Sequence, residues 1–187
     1  RDCLLSRGLG DVYKRQVLVR HNSYLFKGTV EENLRMAKPD ATKEEMEAVL
    51  QKVNLLGFLQ TQNGLQTELL EKAGNLSGGQ CQRLVIARAL LRSDSAVYIF
   101  DEAASNIDVE SEELIMNVIH ELAKTKTVLL ISHRLANVVQ SDQIYFLKNG
   151  TICERGTHAE LMEQNGAYRH LYDSQMVLEN YGKEGNA

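Results

Sequence analysis

The sequence predicts an α/β fold, and the main evidence is three short apolar runs at residues 17–19, 97–100 and 127–131. Each run has the length of a β-strand, and the last is predicted to be buried on both faces, as strands of parallel sheets are. The segments between the runs show the spacing of amphipathic helices. Strands that alternate with helices predict a parallel sheet joined by helical crossovers.

Residues 40–58 predict one amphipathic helix. Thr42 and Glu45 have the spacing of a capping box at its start. Its apolar side chains recur at intervals of three and four residues, which places them on one face. These side chains are predicted to belong to the core: Met46, Val49, Leu50 and Val53.

The second half of the chain predicts two more helices, a hairpin and a last helix. One helix begins near Gln80, and the next begins after Asp108, a natural N-cap residue. Asn149-Gly150 predicts a β-hairpin between strands at residues 143–148 and 151–155. The last helix is predicted at residues 167–178.

The composition narrows the class of protein. A chain of 187 residues is long enough for one domain with a core, and its apolar runs are shorter than a membrane-spanning helix requires. The net charge of −4 disfavours a nucleic-acid-binding surface. The three cysteines lie far apart without metal-ligand spacing, which indicates reduced thiols.

Residues 76–80, Leu-Ser-Gly-Gly-Gln, form a glycine-rich segment at the start of a predicted helix, here called the LSGGQ loop. Ser77 and Gln80 have the spacing of a capping box. Gly78 and Gly79 let a ligand approach the backbone, and free N–H groups at a helix start attract phosphate. Taken alone, such a segment is also common in ordinary loops.

A pair of carboxylates, Asp101 and Glu102, follows the apolar run at 97–100. Ligands of parallel α/β sheets bind at the carboxyl ends of the strands. Carboxylates at this position can hold Mg²⁺ through water and can polarise an attacking water molecule. The alternative is a strand with a solvated polar end.

The two segments are followed by Ser105-Asn106-Ile107-Asp108 and then by Ile131-Ser132-His133. In this order they resemble the C-terminal part of the ATPase domain of an ATP-binding cassette (ABC) transporter of the exporter type, over about residues 17–178. The resemblance implies a partial RecA-like parallel sheet core with an inserted α-helical subdomain. It also implies a C-terminal β-hairpin plus helices.

The resemblance further implies a division of the chain. Residues 1–16 fit no part of the family pattern, and our hypothesis is a non-native leader, the alternative being a divergent native segment. The remaining parts are, in order, a strand with the Q-loop region at 17–26, the helical subdomain with the LSGGQ loop at 27–95, the core half with the Walker B strand, D-loop and H-loop at 96–158, and C-terminal helices with a tail at 159–187.

Catalytic roles follow from the resemblance residue by residue. Asp101 is expected to bind Mg²⁺ through water, and Glu102 is expected to orient or deprotonate the attacking water. His133 is expected to hydrogen-bond the γ-phosphate of ATP. The alternative for His133 is a structural histidine that is hydrogen-bonded beneath a helix.

Other roles concern a second subunit. The resemblance implies that Ser77, Gly78, Gly79 and Gln80 cover the ATP bound to a second ABC nucleotide-binding domain, in a head-to-tail homodimer or heterodimer. The D-loop, with Ser105 and Asp108, is expected to cross the same interface. For Asp108, the capping of the next helix is an equally good explanation.

Two positions are expected to couple the domain to a membrane partner. His21 occupies the position of the glutamine in the exporter pattern Q-D-x-x-L-F-x-G-T-I-x-x-N, which continues here to Asn33. Glu71 keeps the second acid of the pattern T-E-V-G-E-x-G, although Leu70 replaces its glycine. The alternatives are a loop histidine and a solvated glutamate. His158 is predicted to be a structural cap or turn residue.

The predicted function is ATP hydrolysis, with ATP and Mg²⁺, coupled to export through a transmembrane domain of the same polypeptide at the cytoplasmic face of the membrane. The 187 residues contain no G-x-x-x-x-G-K-[ST] motif, so this chain alone is predicted to hydrolyse ATP hardly at all. One alternative is a soluble ABC ATPase that acts on nucleic acid or ribosomes, although the basic or coiled-coil arms of such proteins are missing here. Another is a non-catalytic ABC partner subunit.

Overall fold

A computed structural model describes residues 15–184, with side chains described through residue 178. Most of the predicted leader, residues 1–14, lies outside the described part. The chain forms two compact units, Arg1–Ile131 and Ser132–Ala187, and each is described by itself.

The elements follow one another in an alternating order. The first unit contains β1 (Gln16–Arg20), β2 (Gly28–Thr29), α1 (Val30–Arg35), α2 (Lys43–Lys52), α3 (Leu56–Gln60), β3 (Glu68–Leu69), α4 (Gly78–Leu90), β4 (Val97–Asp101), α5 (Val109–Ala123) and β5 (Thr127–Ile131). The second unit contains β6 (Ile144–Lys148), β7 (Thr151–Gly156), α6 (His158–Gln164) and α7 (Ala167–Glu184). The last helix thus extends beyond its predicted end at residue 178.

The three apolar runs form a parallel sheet in the order β1-β4-β5. Arg20 of β1 is in register with Asp101 of β4, which in turn is in register with Ile131 of β5. The carboxyl ends of the three strands therefore form one edge. The α/β fold class with a parallel sheet and a C-terminal hairpin is confirmed.

Within the first unit, α4 and α5 cover one face of this sheet. Its inward side chains, among them Val19 and Phe100, share a core with residues of α4 and α5. On the other face Leu18 and Leu129 are each 50% exposed. The prediction that residues 127–131 are buried on both faces is therefore wrong, because α4 and α5 pack against the same side.

The predicted helix at 40–58 is two helices, α2 and α3. The capping box of Thr42 and Glu45 is present at the start of α2, and its four predicted core residues are buried. The chain then turns at Asn54, which has a φ of 51°. Asparagine tolerates this left-handed conformation better than most residues. Asn54 therefore separates α2 from α3, although the apolar pattern of the sequence continues through it.

The second unit is built on the predicted hairpin. Asn149 and Gly150, with φ angles of 53° and 77°, join β6 to β7. The side chain of Glu154 in β7 accepts hydrogen bonds from the backbone N–H groups of Ala167 and Tyr168, which begin α7. The hairpin thereby anchors the last helix.

Candidate functional site

The predicted catalytic carboxylate, Glu102, lies directly beyond β4 on a strained backbone. Its φ is 50°, in the left-handed region that costs a non-glycine residue about 1–3 kcal/mol. Its N–H donates to the carbonyl of Ile131 at 3.0 Å, which ties it to the end of β5. Its side chain is half-buried. The turn therefore leads Glu102 out of the sheet at the edge formed by the carboxyl ends of the strands.

Ser105 of the predicted D-loop fixes this turn. Its N–H and its hydroxyl both donate to the carbonyl of Glu102, at 3.0 Å and 2.9 Å. Ala103 and Ala104 between them are buried, which anchors the segment in the core. The backbone of Glu102 is thus held from both sides.

Asp101 shares the edge of the sheet with Arg20 and His21. The guanidinium of Arg20 lies 3.6 Å from Oδ2 of Asp101, with both side chains partly exposed. The N–H of His21 donates to the carbonyl of Asp101 at 3.3 Å. This arrangement places the predicted Q-loop residue and the predicted metal ligand next to each other.

Asp101 is a candidate ligand for a magnesium ion. Within residues 15–184, no group of three or more histidine, cysteine, aspartate or glutamate side chains is arranged to hold a metal ion. Mg²⁺ usually keeps several waters and takes one or two carboxylates together with phosphate oxygens of a nucleotide. The partly exposed Asp101 fits one such ligand position.

The LSGGQ loop forms the predicted capping box. The hydroxyl of Ser77 accepts from the N–H of Gln80 at 3.2 Å, and Oε1 of Gln80 accepts from the N–H of Ser77 at 2.9 Å. Gly78 is exposed at the open start of α4, whereas Gly79 is buried. The N–H of Gly78 therefore remains at the surface, in the field of a helix start that favours anions.

The start of α5 lies beside the start of α4. Asp108 caps α5 by accepting from the N–H of Ser111 at 2.8 Å, so its predicted capping role is confirmed. Hydrogen bonds from Ser111, with the charge of Arg83 on α4 as a smaller cause, hold the pKa of Asp108 below its ordinary value. The LSGGQ loop and the D-loop are therefore neighbours in one subunit.

A buried glutamine links α4 to the edge of the sheet. Gln82 is 5% exposed, and its Nε2 donates to the carbonyl of Arg20 at 3.3 Å. The sequence analysis missed this residue. Helical spacing could have indicated that Gln82 is buried, because it lies three and seven positions before the apolar Val85 and Ala89 on the buried face of α4.

A second buried amide, Asn33, shapes the segment after His21. Its Oδ1 accepts from the N–H of Phe26 at 2.9 Å, and its Nδ2 donates to the carbonyls of Phe26 and Thr29 at 2.9 Å and 3.0 Å. Asn33 is 1% exposed. The asparagine of the exporter pattern thus has a structural explanation.

Glu71, the predicted coupling residue, is exposed in a short 3₁₀ turn before α4. The turn contains two left-handed residues, Lys72 and Ala73, with φ angles of 57° and 54°. Asn75 accepts from the N–H of Leu70 at 2.9 Å and donates to the carbonyl of Glu68 at 3.0 Å. These contacts present Glu71 to the surface beside the LSGGQ loop.

His133 belongs to the second unit and follows the end of β5 by two residues. Gln175 of α7 holds this loop, since its Nε2 donates to the carbonyl of His133 at 2.8 Å and its Oε1 accepts from the N–H of Leu135 at 2.9 Å. The sequence analysis missed Gln175, because its partners lie about 40 residues away. His158 bonds the hydroxyl of Tyr168 at 2.8 Å, a structural contact.

The chain matches the model of the family described as "ABC transporter" over residues 7–105, just over half of its length. The chain belongs to the ABC transporter family. The matched range includes residues 7–16, within the segment that the sequence predicts to be a non-native leader.

Related proteins place this ABC chain among exporters. It is 51% identical over 175 residues, 94% of its length, to an uncharacterized ABC transporter ATP-binding protein of Haemophilus influenzae. It is 44% identical over 157 residues, 83% of its length, to an ATP-dependent lipid A-core flippase of Vibrio vulnificus. A bacterial Atm1-family ABC exporter, solved with ATP bound, superimposes with a TM-score of 0.79 at 30% identity, over 87% of this chain.

The ABC chain spans 31%, 27% and 28%, respectively, of the length of these three proteins. Together the comparisons identify it as an exporter-type ABC nucleotide-binding domain, for which ATP is the expected nucleotide. In the described part of the chain, no helix combines the length and apolar character that crossing a bilayer requires.

The structure of this ABC domain brings two groups of predicted residues together. His21, Asp101 and Glu102 lie at the carboxyl edge of the sheet. The LSGGQ loop and Asp108 lie where α4 and α5 begin, and Gln82 connects the two groups through the backbone. His133 and Gln175, which bonds its carbonyl, lie in the second unit.

Proposed function

We propose that this chain supplies catalytic parts of an ATP-hydrolysing site in an ABC exporter. The observation that carries the proposal is the held turn at Glu102, whose strained backbone is fixed by β5 and Ser105 at the edge of a parallel sheet. Strain at a sheet edge that is maintained from two sides is typical of functional residues. The match to the ABC family supports a nucleotide as the ligand.

Each residue has a proposed role in attack of water on the γ-phosphorus. Glu102 orients or deprotonates the water, and His133 donates a hydrogen bond to the γ-phosphate. Asp101 would hold Mg²⁺ through a water molecule, because its carboxylate also faces the guanidinium of Arg20 at 3.6 Å. Mg²⁺ would neutralise charge on the phosphates. His21 contributes a polar group beside Asp101.

The LSGGQ loop is proposed to act on a second subunit. Its exposed Gly78 and the start of α4 offer N–H groups to the γ-phosphate of ATP held by another ABC nucleotide-binding domain. The domains would form a head-to-tail pair, as a homodimer or a heterodimer, with the D-loop residues Ser105 and Asp108 at the interface.

A role in export through the membrane is proposed as well. Export is supported by the relatives, one of which is named as a flippase and another as an exporter. Glu71 and the segment after His21 are proposed to contact a transmembrane domain of the same polypeptide. The domain would then lie at the cytoplasmic face of the membrane.

A chimeric protein tests the catalytic assignment. In the chimera, residues 17–178 of this chain replace the matching residues of the Haemophilus influenzae relative. Its rate of ATP hydrolysis is compared with the rate of the unchanged relative. The chimera is expected to hydrolyse ATP, and Glu102→Gln is expected to lower kcat by about 10²–10⁴-fold, the usual contribution of a general base. Glu113→Gln, which changes an exposed glutamate of α5, is the matched control. Equal rates for the chimera and its Glu102→Gln variant would refute the proposal.

The isolated 187-residue chain is proposed to be nearly inactive. Its sequence has no G-x-x-x-x-G-K-[ST] motif to cradle the β- and γ-phosphates. ATP turnover by the purified chain that Glu102→Gln abolishes would contradict this part of the proposal.

A further inference from the structure

The starts of α4 and α5 pack against each other through Gly79 and Ser111. A Cβ placed on Gly79 would lie 2.6 Å from the Cβ of Ser111 and 3.1 Å from Oδ2 of Asp108, and it would also meet the hydroxyl of Ser111. Side chains in proteins do not approach the Cβ of a neighbour this closely. The two helices can therefore make this contact because residue 79 is glycine.

Ser111 is fixed at this point by its own helix. It is 5% exposed, and its N–H donates to Oδ1 of Asp108 at 2.8 Å. On the other helix, Nε of Arg83 donates to the carbonyl of Gly79 at 3.3 Å, and the charge of Arg83 acts on Asp108. The start of α4 and the N-cap of α5 therefore form one packed unit.

The neighbouring glycine has a different environment. Gly78 is exposed, and a Cβ placed there would lie 3.9 Å from Cγ2 of Ile107, an ordinary van der Waals contact. The two glycines of the LSGGQ loop thus meet different requirements. Residue 78 faces the surface, and residue 79 lies between two helices.

We infer that Ser111 is a positioning residue for the LSGGQ loop, and that Gly79 is required for its contact with Ser111 rather than for the approach of a nucleotide. Ser111 packs against Gly79 and holds the start of α4 on α5. This contact fixes the direction in which the loop presents its N–H groups. The inference rests on the proposed function for what the loop contacts. The packing itself requires no nucleotide.

Urea unfolding of the 187-residue chain, followed by circular dichroism, tests the packing. Gly79→Ala is expected to raise the equilibrium constant for unfolding roughly 5- to 150-fold, as overpacking of a filled site does. Gly78→Ala is the matched control and is expected not to raise it. A Gly79→Ala variant as stable as the Gly78→Ala variant would overturn the inference.

Substitutions at Ser111 identify the atoms responsible. Ser111→Gly removes the two nearest atoms that the added methyl group would meet and leaves only Oδ2 of Asp108 at 3.1 Å, so Gly79→Ala is expected to lose most of its effect in that background. Ser111→Ala keeps the Cβ at 2.6 Å and is expected to leave most of the effect in place. Equal effects of Gly79→Ala in both backgrounds would refute the assignment to Ser111.

Hydrogen exchange under native conditions tests positioning rather than overall stability. The N–H groups of Gln80 and Cys81 bond Ser77 at the start of α4. Ser111→Gly is expected to speed their exchange roughly 2- to 12-fold relative to the amides of α2, because loss of one packing contact costs about as much as a hydrogen bond. If Ser111→Gly leaves the relative exchange rates of Gln80 and Cys81 unchanged, the inference is overturned even if the protein hydrolyses ATP. Conversely, a chain that does not hydrolyse ATP would still show the faster exchange if the packing inference is right.

Discussion

Replacing Asn33 by alanine removes three hydrogen bonds that shape the segment after His21. The amide group of Asn33 bonds the N–H and the carbonyl of Phe26 and the carbonyl of Thr29, at 2.9–3.0 Å. Because Asn33 is 1% exposed, water cannot simply take its place in the folded protein. The Asn33→Ala variant is therefore expected to be less stable.

The size of the loss follows from these contacts. Each net hydrogen bond contributes about 1 kcal/mol, so three of them contribute about 3 kcal/mol. Phe26 is 47% exposed, so its freed backbone groups regain some bonding with water. We therefore expect the free energy of unfolding to fall by about 2–3 kcal/mol. With a urea m-value of about 2 kcal/mol/M, the midpoint falls by about 1–1.5 M.

Urea unfolding followed by circular dichroism measures this change. Asn22→Ala, at an exposed position in the same segment, is the matched control and is expected to leave the midpoint unchanged. Asn33→Asp is expected to be at least as damaging as Asn33→Ala, because its carboxylate would face two carbonyl oxygens. An Asn33→Ala midpoint equal to that of Asn22→Ala would refute the reasoning.

Three further predictions concern other contacts. Gln175→Leu removes two hydrogen bonds, so the backbone amide of Leu135 should exchange its hydrogen roughly 30-fold faster. An unchanged exchange rate would show that other contacts hold the loop after β5. Tyr168→Phe should lower the free energy of unfolding by about 1 kcal/mol, because it removes the hydroxyl that bonds His158, and a urea titration at neutral pH would measure this. The pKa of Asp108 in the folded state lies below its ordinary value. Its ionised carboxylate therefore stabilises the folded state at a pH above the ordinary pKa, and this stabilisation is lost as the pH falls through the folded-state pKa. The stability advantage of the wild type over Asp108→Asn should therefore shrink below about pH 4, whereas a constant difference from pH 7 to 3 would contradict the hydrogen-bond assignment.

The features predicted from the sequence are those that depend on neighbouring residues. The capping boxes of Thr42 with Glu45 and of Ser77 with Gln80 each join residues three positions apart, and the structure confirms both. The Asn149-Gly150 hairpin depends on two residues and is also confirmed. For such elements the local chemistry is sufficient.

The features that were missed depend on distant parts of the chain. Gln82 bonds the backbone of Arg20, 62 positions away, and its partner could not be identified from helical spacing. The fit of Gly79 against Ser111 depends on how two helices cross. The exposed face of the sheet depends on which side the helices cover, which the apolar runs do not specify.

The order of the strands also affects how the sheet can form during synthesis. Residue 16 of β1 pairs with residue 97 of β4, 81 positions later in the chain. At a ribosomal rate of about 5–20 residues per second, β1 emerges roughly 4–16 s before its neighbour. During that interval the apolar side chains of Val17, Leu18 and Val19 lack β4, the strand that pairs with β1 in the described part of the chain. Chaperones that shield short apolar segments should therefore associate with nascent chains of this protein until β4 has been made.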